Sequence, residues 1–194
     1  MNYLSFISLF TLTYCVYLIL IQKKPVIAII DNIPITVFLL YAHLYSNGSM
    51  PWAGAFQVAS IFALGAISIQ WHEGIIFDRM RLGLNYFLIL GGLAFLLHLP
   101  TILKWYAATK GGPLFGCILF VGIITAVSTK SGFIGVDQGN REMRTYASFL
   151  LFAATIIALV WTVKADAEGI LWAVALPYLM LVFVRNQIVD HLFR

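Results

Sequence analysis

Charged residues are scarce in this chain: Lys and Arg number 12, and Asp and Glu number 8, among 194 residues. Hydrophobic residues make up 61% of the sequence, and the mean hydropathy is +0.93. A water-soluble domain of this size has too much exterior to cover with so few charged side chains. The composition therefore excludes a soluble globular protein and predicts that lipid surrounds most of the chain.

Cysteine is almost absent, with only Cys15 and Cys117. In the predicted spans their depths differ by about 12 Å, at about 1.5 Å of rise per residue, which is beyond the reach of a disulfide. We predict that both are small packing residues and that neither serves a metal site. A cleavage site is also lacking after the first apolar stretch, where Lys23, Lys24 and Pro25 follow, so we expect that stretch to be retained.

Apolar stretches close to the length of a membrane span fill most of the chain. A helix of roughly 20 residues crosses a hydrocarbon core of about 30 Å. We predict an all-α bundle of seven transmembrane helices forming one domain over residues 1–194, with six spans as the alternative because the fifth and seventh stretches are short. The stretches are residues 3–22, 26–45, 52–70, 84–105, 113–127, 146–163 and 170–184.

The distribution of basic residues predicts the orientation of these spans. Nine of the 12 basic residues fall on one side, and three, Lys104, Lys110 and Lys164, fall on the other. The positive-inside rule then places the N-terminus outside and the C-terminus in the cytoplasm of a multi-pass cell-membrane protein. The outer side also receives an aromatic belt, formed by Trp52, Trp105, Trp161 and Trp172. The cations at span ends indicate contact with anionic lipid headgroups and not with nucleic acid.

The second span carries the strongest candidate site. Asp31 and Asn32 lie about six residues, or 9 Å, from its cytoplasmic end, and Pro34 frees the backbone carbonyl of Ile30. An acid, an amide and a carbonyl at one level of a kinked helix are typical of ion and substrate sites in transporters. The alternative is purely structural, with Asp31 reached by interfacial water or paired with a basic residue such as Arg185.

Two histidines extend this prediction. His43 and His98 lie at similar depth in the outer halves of two predicted spans. Such a pair serves as haem or metal ligands, or as a proton relay near neutral pH, when the two rings face each other. Hydrogen-bonded structural histidines are the alternative, since no third ligand is evident.

Small residues predict where the helices pack against one another, because close approach drives association in lipid. Ala55, Ala59 and Ala63 recur at every fourth position, and several glycines accompany them on neighbouring spans. The predicted contact glycines are Gly65, Gly91, Gly92, Gly116 and Gly122.

A ring of polar residues on the predicted cytoplasmic face supports a second function. Carboxylates hold divalent cations and arginines grip phosphate, as an enzyme acting on a lipid or lipid-linked phosphate requires. The alternative is that topology alone demands these charges, and that Asn140 or Asp137 simply caps the sixth helix. The candidate catalytic residues are Glu73, Asp78, Arg79, Asp137 and Arg141.

Three functions therefore follow from the sequence. We predict a small transporter or channel-like protein for an ion or small polar solute, without a cofactor. The alternative is the lipid-modifying enzyme, which would use a divalent cation, and a third is an accessory subunit that anchors partners. The bilayer and a small solute or lipid are the predicted partners, nucleic acid is not, and the small spans favour a homo-oligomer. A microbial rhodopsin is excluded, because residues 170–184 contain no lysine for a retinal Schiff base.

Overall fold

A computed structural model describes residues 25–44, 51–74, 78–109, 111–164 and 170–193, which form seven helices and no strand. Three of these helices are long and apolar enough to cross a membrane, namely α2 from Trp52, α3 and α6, while α4 and α5 pass that test only as a pair. The predicted all-helical architecture is confirmed at this level. The helices are α1 (Pro25–Leu44), α2 (Pro51–His72), α3 (Arg79–Leu96), α4 (Pro100–Thr109), α5 (Gly112–Ser128), α6 (Arg141–Lys164) and α7 (Ile170–Phe193).

The count of seven spans stays a prediction. The first predicted span, residues 3–22, lies outside the described residues, as does Cys15, whereas Cys117 is a half-buried free thiol. The other predicted spans each overlap a helix. The last of them is longer than predicted, because α7 continues past Arg185 to Phe193.

The sequence specifies most helix starts by local chemistry. Proline lies in the first turn of α1, α2, α4 and α5, where its missing N–H and fixed φ angle cost nothing. Asn140 caps α6, since its Oδ1 accepts a hydrogen bond of 2.8 Å from the backbone N–H of Met143. Of the two caps predicted for this helix, Asn140 is therefore the one observed.

The predicted span over residues 84–105 is wrong, because the helix breaks at His98. His98 has a φ angle of 52°, and the N–H of Leu99 donates to the carbonyl of Ala94 at 2.9 Å. This is a Schellman-type helix end, with His98 in the left-handed position that usually holds glycine. Pro100 disfavours helical backbone at the residue before it and then begins α4.

The chain divides into two compact units, Met1–Ile75 with Leu88–Leu99, and Ile76–Phe87 with Pro100–Arg194. The prediction of one domain is not decided by this division. In the first unit α1 and α2 are antiparallel, because Asp31 meets Gln70 near one end and Phe38 meets Trp52 and Phe56 toward the other.

Small residues mediate packing in the first unit, largely as predicted. Ala55, Ala59 and Ala63 are all completely buried. A Cβ atom added to Gly91 would lie 2.3 Å from the Phe56 ring, so the glycine is required for this approach. The prediction for Gly65 gains no support, since no atom of the described residues lies within 4 Å of a Cβ built there.

The second unit contains α5, α6 and α7 in an antiparallel arrangement. At one end of the unit Gly111 abuts Thr162 and Val174, whose methyl groups would lie only 2.5 Å and 2.3 Å from an added Cβ. At the other end the loop of residues 129–140 folds back over the helices. Its Phe133 is completely buried and packs on Gly122 and on Phe152, whose ring centroid is 4.7 Å away. Three glycines of this loop have positive φ angles, which glycine adopts more readily than other residues: Gly132 (61°), Gly135 (74°) and Gly139 (80°).

On α6 small polar side chains are buried and large apolar side chains are exposed, which is the reverse of a helix in a water-soluble protein. Its buried residues include Ser148, Thr155 and Thr162, whereas Phe149 and Ile157 are each 68% exposed. Helices that associate in lipid place small and polar residues at their contacts and large apolar residues outward. The arrangement is consistent with a membrane protein.

Candidate functional site

The first unit contains a buried polar pair between α1 and α2. Asp31 is 5% exposed and Gln70 is 3% exposed. The side-chain Nε2 of Gln70 donates a hydrogen bond to Oδ1 of Asp31. Asp31 comes on the second turn of α1 and Gln70 on the last turn of α2, so the antiparallel packing of the two helices brings them to one level.

Apolar and constrained groups surround this pair along α1. Pro34 is fully buried inside the helix, three residues after Asp31, and it cannot donate the backbone hydrogen bond that the carbonyl of Ile30 would accept. Asn32 is half-buried beside them. One turn beyond Pro34, Phe38 is 7% exposed and packs against the Phe56 ring at a centroid distance of 4.8 Å. The structure thus places all three predicted residues of the second span within about one turn of α1, where Gln70 of α2 bonds the first of them.

A carboxylate in this position has limited chemistry open to it. Removing an ionised carboxylate from water is costly unless hydrogen bonds or a cation compensate, and the neutral acid is cheaper to bury. A carboxyl group inside a membrane helix can exchange a proton or accept a cation. These are the two functions that an acidic group performs inside transport proteins.

The predicted histidine pair gains no support. His98 is exposed at the end of α3, where its Nδ1 lies 3.2 Å from the carbonyl of Leu96. Its position is explained by the helix end described above. His43 belongs to the last turn of α1, but its side chain is outside the described part of the structure, so the pairing of the two rings stays a prediction.

The second unit assembles part of the predicted polar ring around Asp78. One carboxylate oxygen of Asp78 caps α3 by accepting from the N–H of Met80 at 3.0 Å and of Arg81 at 3.4 Å. The other oxygen lies 3.5 Å from a guanidinium nitrogen of Arg185. Burial alone would raise the pKa of Asp78, but the charges of Arg185 and Arg81 and the two N–H groups outweigh it, so the pKa lies below its ordinary value.

Arg185 thus has a different partner from the one considered in the sequence. It pairs with Asp78 in the second unit, whereas Asp31 is bonded by Gln70 in the first. The pair of Asp31 with Arg185, which the purely structural alternative considered, is therefore replaced by a different partner for each of these two residues.

Arg79 anchors the loop that precedes α6. Its Nη2 donates to the hydroxyl of Ser131 at 3.2 Å, and its side chain packs against Gly135. Its Nε is buried and has no hydrogen-bond partner among the described residues. Arg79 consequently holds the loop close to Asp78, where Asp78 and Asp137 line one open cavity.

The remaining members of the ring, Glu73 and Arg141, belong to different units. Glu73 is exposed after the end of α2 in the first unit, and Arg141 is exposed at the start of α6 in the second. Across the described ranges, no three His, Cys, Asp or Glu side chains are grouped closely enough to hold a metal ion. Within the second unit, the enzyme alternative keeps Asp78, Arg79 and Asp137 as neighbours.

Sequence reasoning missed Gln70 as a site residue. A glutamine at the end of an apolar stretch is ordinarily exposed, and nothing in its immediate neighbours marks it as buried. The available signal was its position in the small-residue stripe, since Ala59, Ala63, Ala66 and Gln70 repeat at helical spacing on one face of α2. Following that stripe one turn further would have predicted an inward amide.

Comparisons with protein-family models, with curated proteins and with solved structures find no match for this chain.

Proposed function

We propose that this chain is a small multi-pass protein of the cell membrane that moves an ion or a small polar solute. Its pathway passes the polar level formed by Asp31, Asn32, Pro34 and Gln70. The observation that carries the proposal is the burial of the Asp31 carboxylate, bonded by Gln70, between two apolar helices.

The energetics of this pair favour a functional role over a merely structural one. An acid inside a membrane helix is costly to bury, and such residues mark ion pathways and proton relays in membrane proteins. Pro34 adds a backbone carbonyl without its usual helical donor one turn before itself. Oxygen atoms of three kinds, from a carboxylate, amides and the main chain, then lie near one level, as in the broken helices of transporters.

The proposal includes the topology predicted from the charges. Seven spans with the N-terminus outside place the Asp31 level nearer the cytoplasmic surface, since Lys23 and Lys24 precede α1. A polar site near one surface suits a pathway with a short aqueous entrance from that side.

The test is transport by purified protein in proteoliposomes. Proton entry is followed with an internal pH-sensitive dye and sodium entry with ²²Na⁺, each driven by a membrane potential. We expect the wild type to exceed empty liposomes for at least one ion. Asp31→Asn should reduce that flux to the level of empty liposomes, because the amide can neither exchange a proton nor balance a cation.

Matched variants separate this result from general damage. Glu73→Gln removes an exposed carboxylate and Gln57→Ala an exposed amide of α2, and both should leave flux unchanged. Gln70→Ala should lower flux, because it removes the donor to Asp31. Full flux in a correctly inserted Asp31→Asn protein contradicts the proposed site, and no wild-type flux of either ion rejects transport of protons and sodium.

The enzyme alternative is less well supported by the geometry. Both carboxylate oxygens of Asp78 already serve the cap of α3 and the ion pair with Arg185. This leaves Asp137 as the one carboxylate of the three neighbours available for acid–base work, and a single exposed acid is a weak basis for a catalytic site.

A further inference from the structure

An open cavity of about 450 Å³ lies in the second unit, apart from the Asp31 site. It is bordered by the loop before α6 and by the polar end of α7. Its polar lining consists of Asp78, Asp137, Gln138 and Arg185. The cavity thus presents one cation and two carboxylates to whatever enters it.

Arg185 supplies most of the unused hydrogen-bonding capacity. A guanidinium has five N–H donors in a planar fork. Within the described residues the ion pair with Asp78, at 3.5 Å, is its only polar contact, and its side chain is 21% exposed. Donors of Arg185 therefore remain available to a ligand in the cavity that this residue lines.

Asp137 supplies a negative charge across the same cavity. Its side chain is exposed, and the backbone around it is fixed because Arg144 donates to the carbonyl of Asp137 at 3.3 Å and of Gly139 at 2.7 Å. Asp78 is occupied by its cap and its ion pair, which leaves Asp137 as the carboxylate available to a ligand. The cavity therefore offers an anion-binding and a cation-binding group together.

The position of the cavity along the helices restricts which class of ligand can reach it. Arg185 directly follows the apolar residues 170–184 of α7, and Asp78 directly precedes α3. Both therefore lie where apolar helix gives way to polar residues, which is the level of phospholipid headgroups.

We propose that this cavity binds a phosphate group that carries a neighbouring primary amine. The phosphate is held by the fork of Arg185, which matches phosphate geometry, and the ammonium is held by Asp137. The headgroup of phosphatidylethanolamine has this chemistry, and so does soluble phosphoethanolamine. The site is distinct from the Asp31 pathway, and its existence does not depend on transport.

The experiment compares lipid retention by native mass spectrometry of the purified protein. It is offered equal amounts of phosphatidylethanolamine and phosphatidylglycerol, which share the phosphate but not the amine. Arg185→Gln should lower retention of both lipids about tenfold, because it removes the charge-assisted fork. Asp137→Asn should lower phosphatidylethanolamine about threefold and leave phosphatidylglycerol unchanged or increased, because only the amine contact is lost.

Three further variants serve as controls that distinguish this result from misfolding and from general charge effects. Arg141→Gln and Glu142→Gln remove exposed charges at the start of α6, outside the cavity lining, and should retain both lipids like the wild type. Arg185→Lys keeps the charge beside Asp78 but loses the fork, so its retention should fall between those of the wild type and Arg185→Gln.

A second arm identifies the source of the ligand. Delipidated protein is titrated with soluble phosphoethanolamine in detergent, and saturable binding that Arg185→Gln abolishes assigns the site to a free solute as well as to the lipid. Its absence alongside the lipid result assigns the site to the lipid alone. Equal lipid retention by the wild type and Arg185→Gln, or equal loss of both lipids in Asp137→Asn, overturns the proposal.

Discussion

Two glycines of the apolar helices lie in opposite surroundings and give a direct measure of packing. Gly122 of α5 faces Phe133, whose ring atoms would be 2.9 Å from an added Cβ, whereas nothing described lies within 4 Å of Gly65 in α2. Gly122→Ala should destabilise the protein by about 1–3 kcal/mol, because the buried ring must move. Gly65→Ala should be neutral or stabilising by about 0.5–1 kcal/mol, as alanine loses less backbone entropy in a helix.

Thermal unfolding in detergent measures both changes under one condition. If Gly122→Ala is as stable as Gly65→Ala, the loop of residues 129–140 does not seat Phe133 on α5 as described.

The residue scale also shows what a sequence can reveal of a site. Asp31 is conspicuous without any structure, because an acid within an apolar stretch has a large burial cost. Gln70 is not conspicuous, because an uncharged amide is tolerated both at the membrane surface and between helices. Only the rotation of α2 about its axis determines which of these two places it occupies. Arg185 was recognised as a candidate partner, but its actual partner depends on which helices pack together, and hydropathy carries no such information.

At the scale of elements, the end of α3 shows how much the backbone conformation of one residue contributes to the stability of the protein. His98 adopts a φ angle of 52° with its side chain exposed, so the residue is in a conformation that glycine accepts without steric cost. His98→Gly should therefore stabilise the protein by about 1 kcal/mol.

An exposed position with ordinary helical backbone provides the control. Gln57→Gly in the middle of α2 should destabilise the protein by about 1 kcal/mol, since glycine is a poor helix former. Unfolding temperatures measured side by side should shift in opposite directions for the two glycine variants. A loss of stability in His98→Gly would show that the ring itself, through its contact with the carbonyl of Leu96, is needed.

The same element explains why one predicted boundary failed. Leu96, Leu97 and Leu99 continue the apolar run across the break, so hydropathy alone extends the span to residue 105. Pro100 marks the start of α4 better than hydropathy does, as Pro25 and Pro51 mark the starts of α1 and α2. The end of a helix is determined by backbone hydrogen bonding. Hydropathy is an average over side chains and does not report it.

At the scale of the whole molecule, the contacts within the second unit show how its helices alternate in direction. Asp78, Asp137 and Arg185 come from three segments that the charges assign to one side, and they line one cavity. Gly111, Thr162 and Val174 come from segments assigned near the opposite side, and they meet at the other end of the unit. Helices α5, α6 and α7 therefore run in alternating directions, and their assignment to membrane sides stays a prediction.

The predicted orientation can be tested by labelling from outside the cell. Gln138 and Lys164 are exposed at opposite ends of the segment containing α6, so a cysteine at either is accessible to reagent. In a background with Cys15→Ser and Cys117→Ser, Lys164→Cys should react with a membrane-impermeant maleimide in intact cells. Gln138→Cys should react only after the membrane is permeabilised, because nine of the 12 basic residues fall on its side and so predict that this side is cytoplasmic. The reverse pattern would invert the topology and move the Asp31 level to the outer half, whereas labelling of both in intact cells would mean that α6 does not cross the membrane.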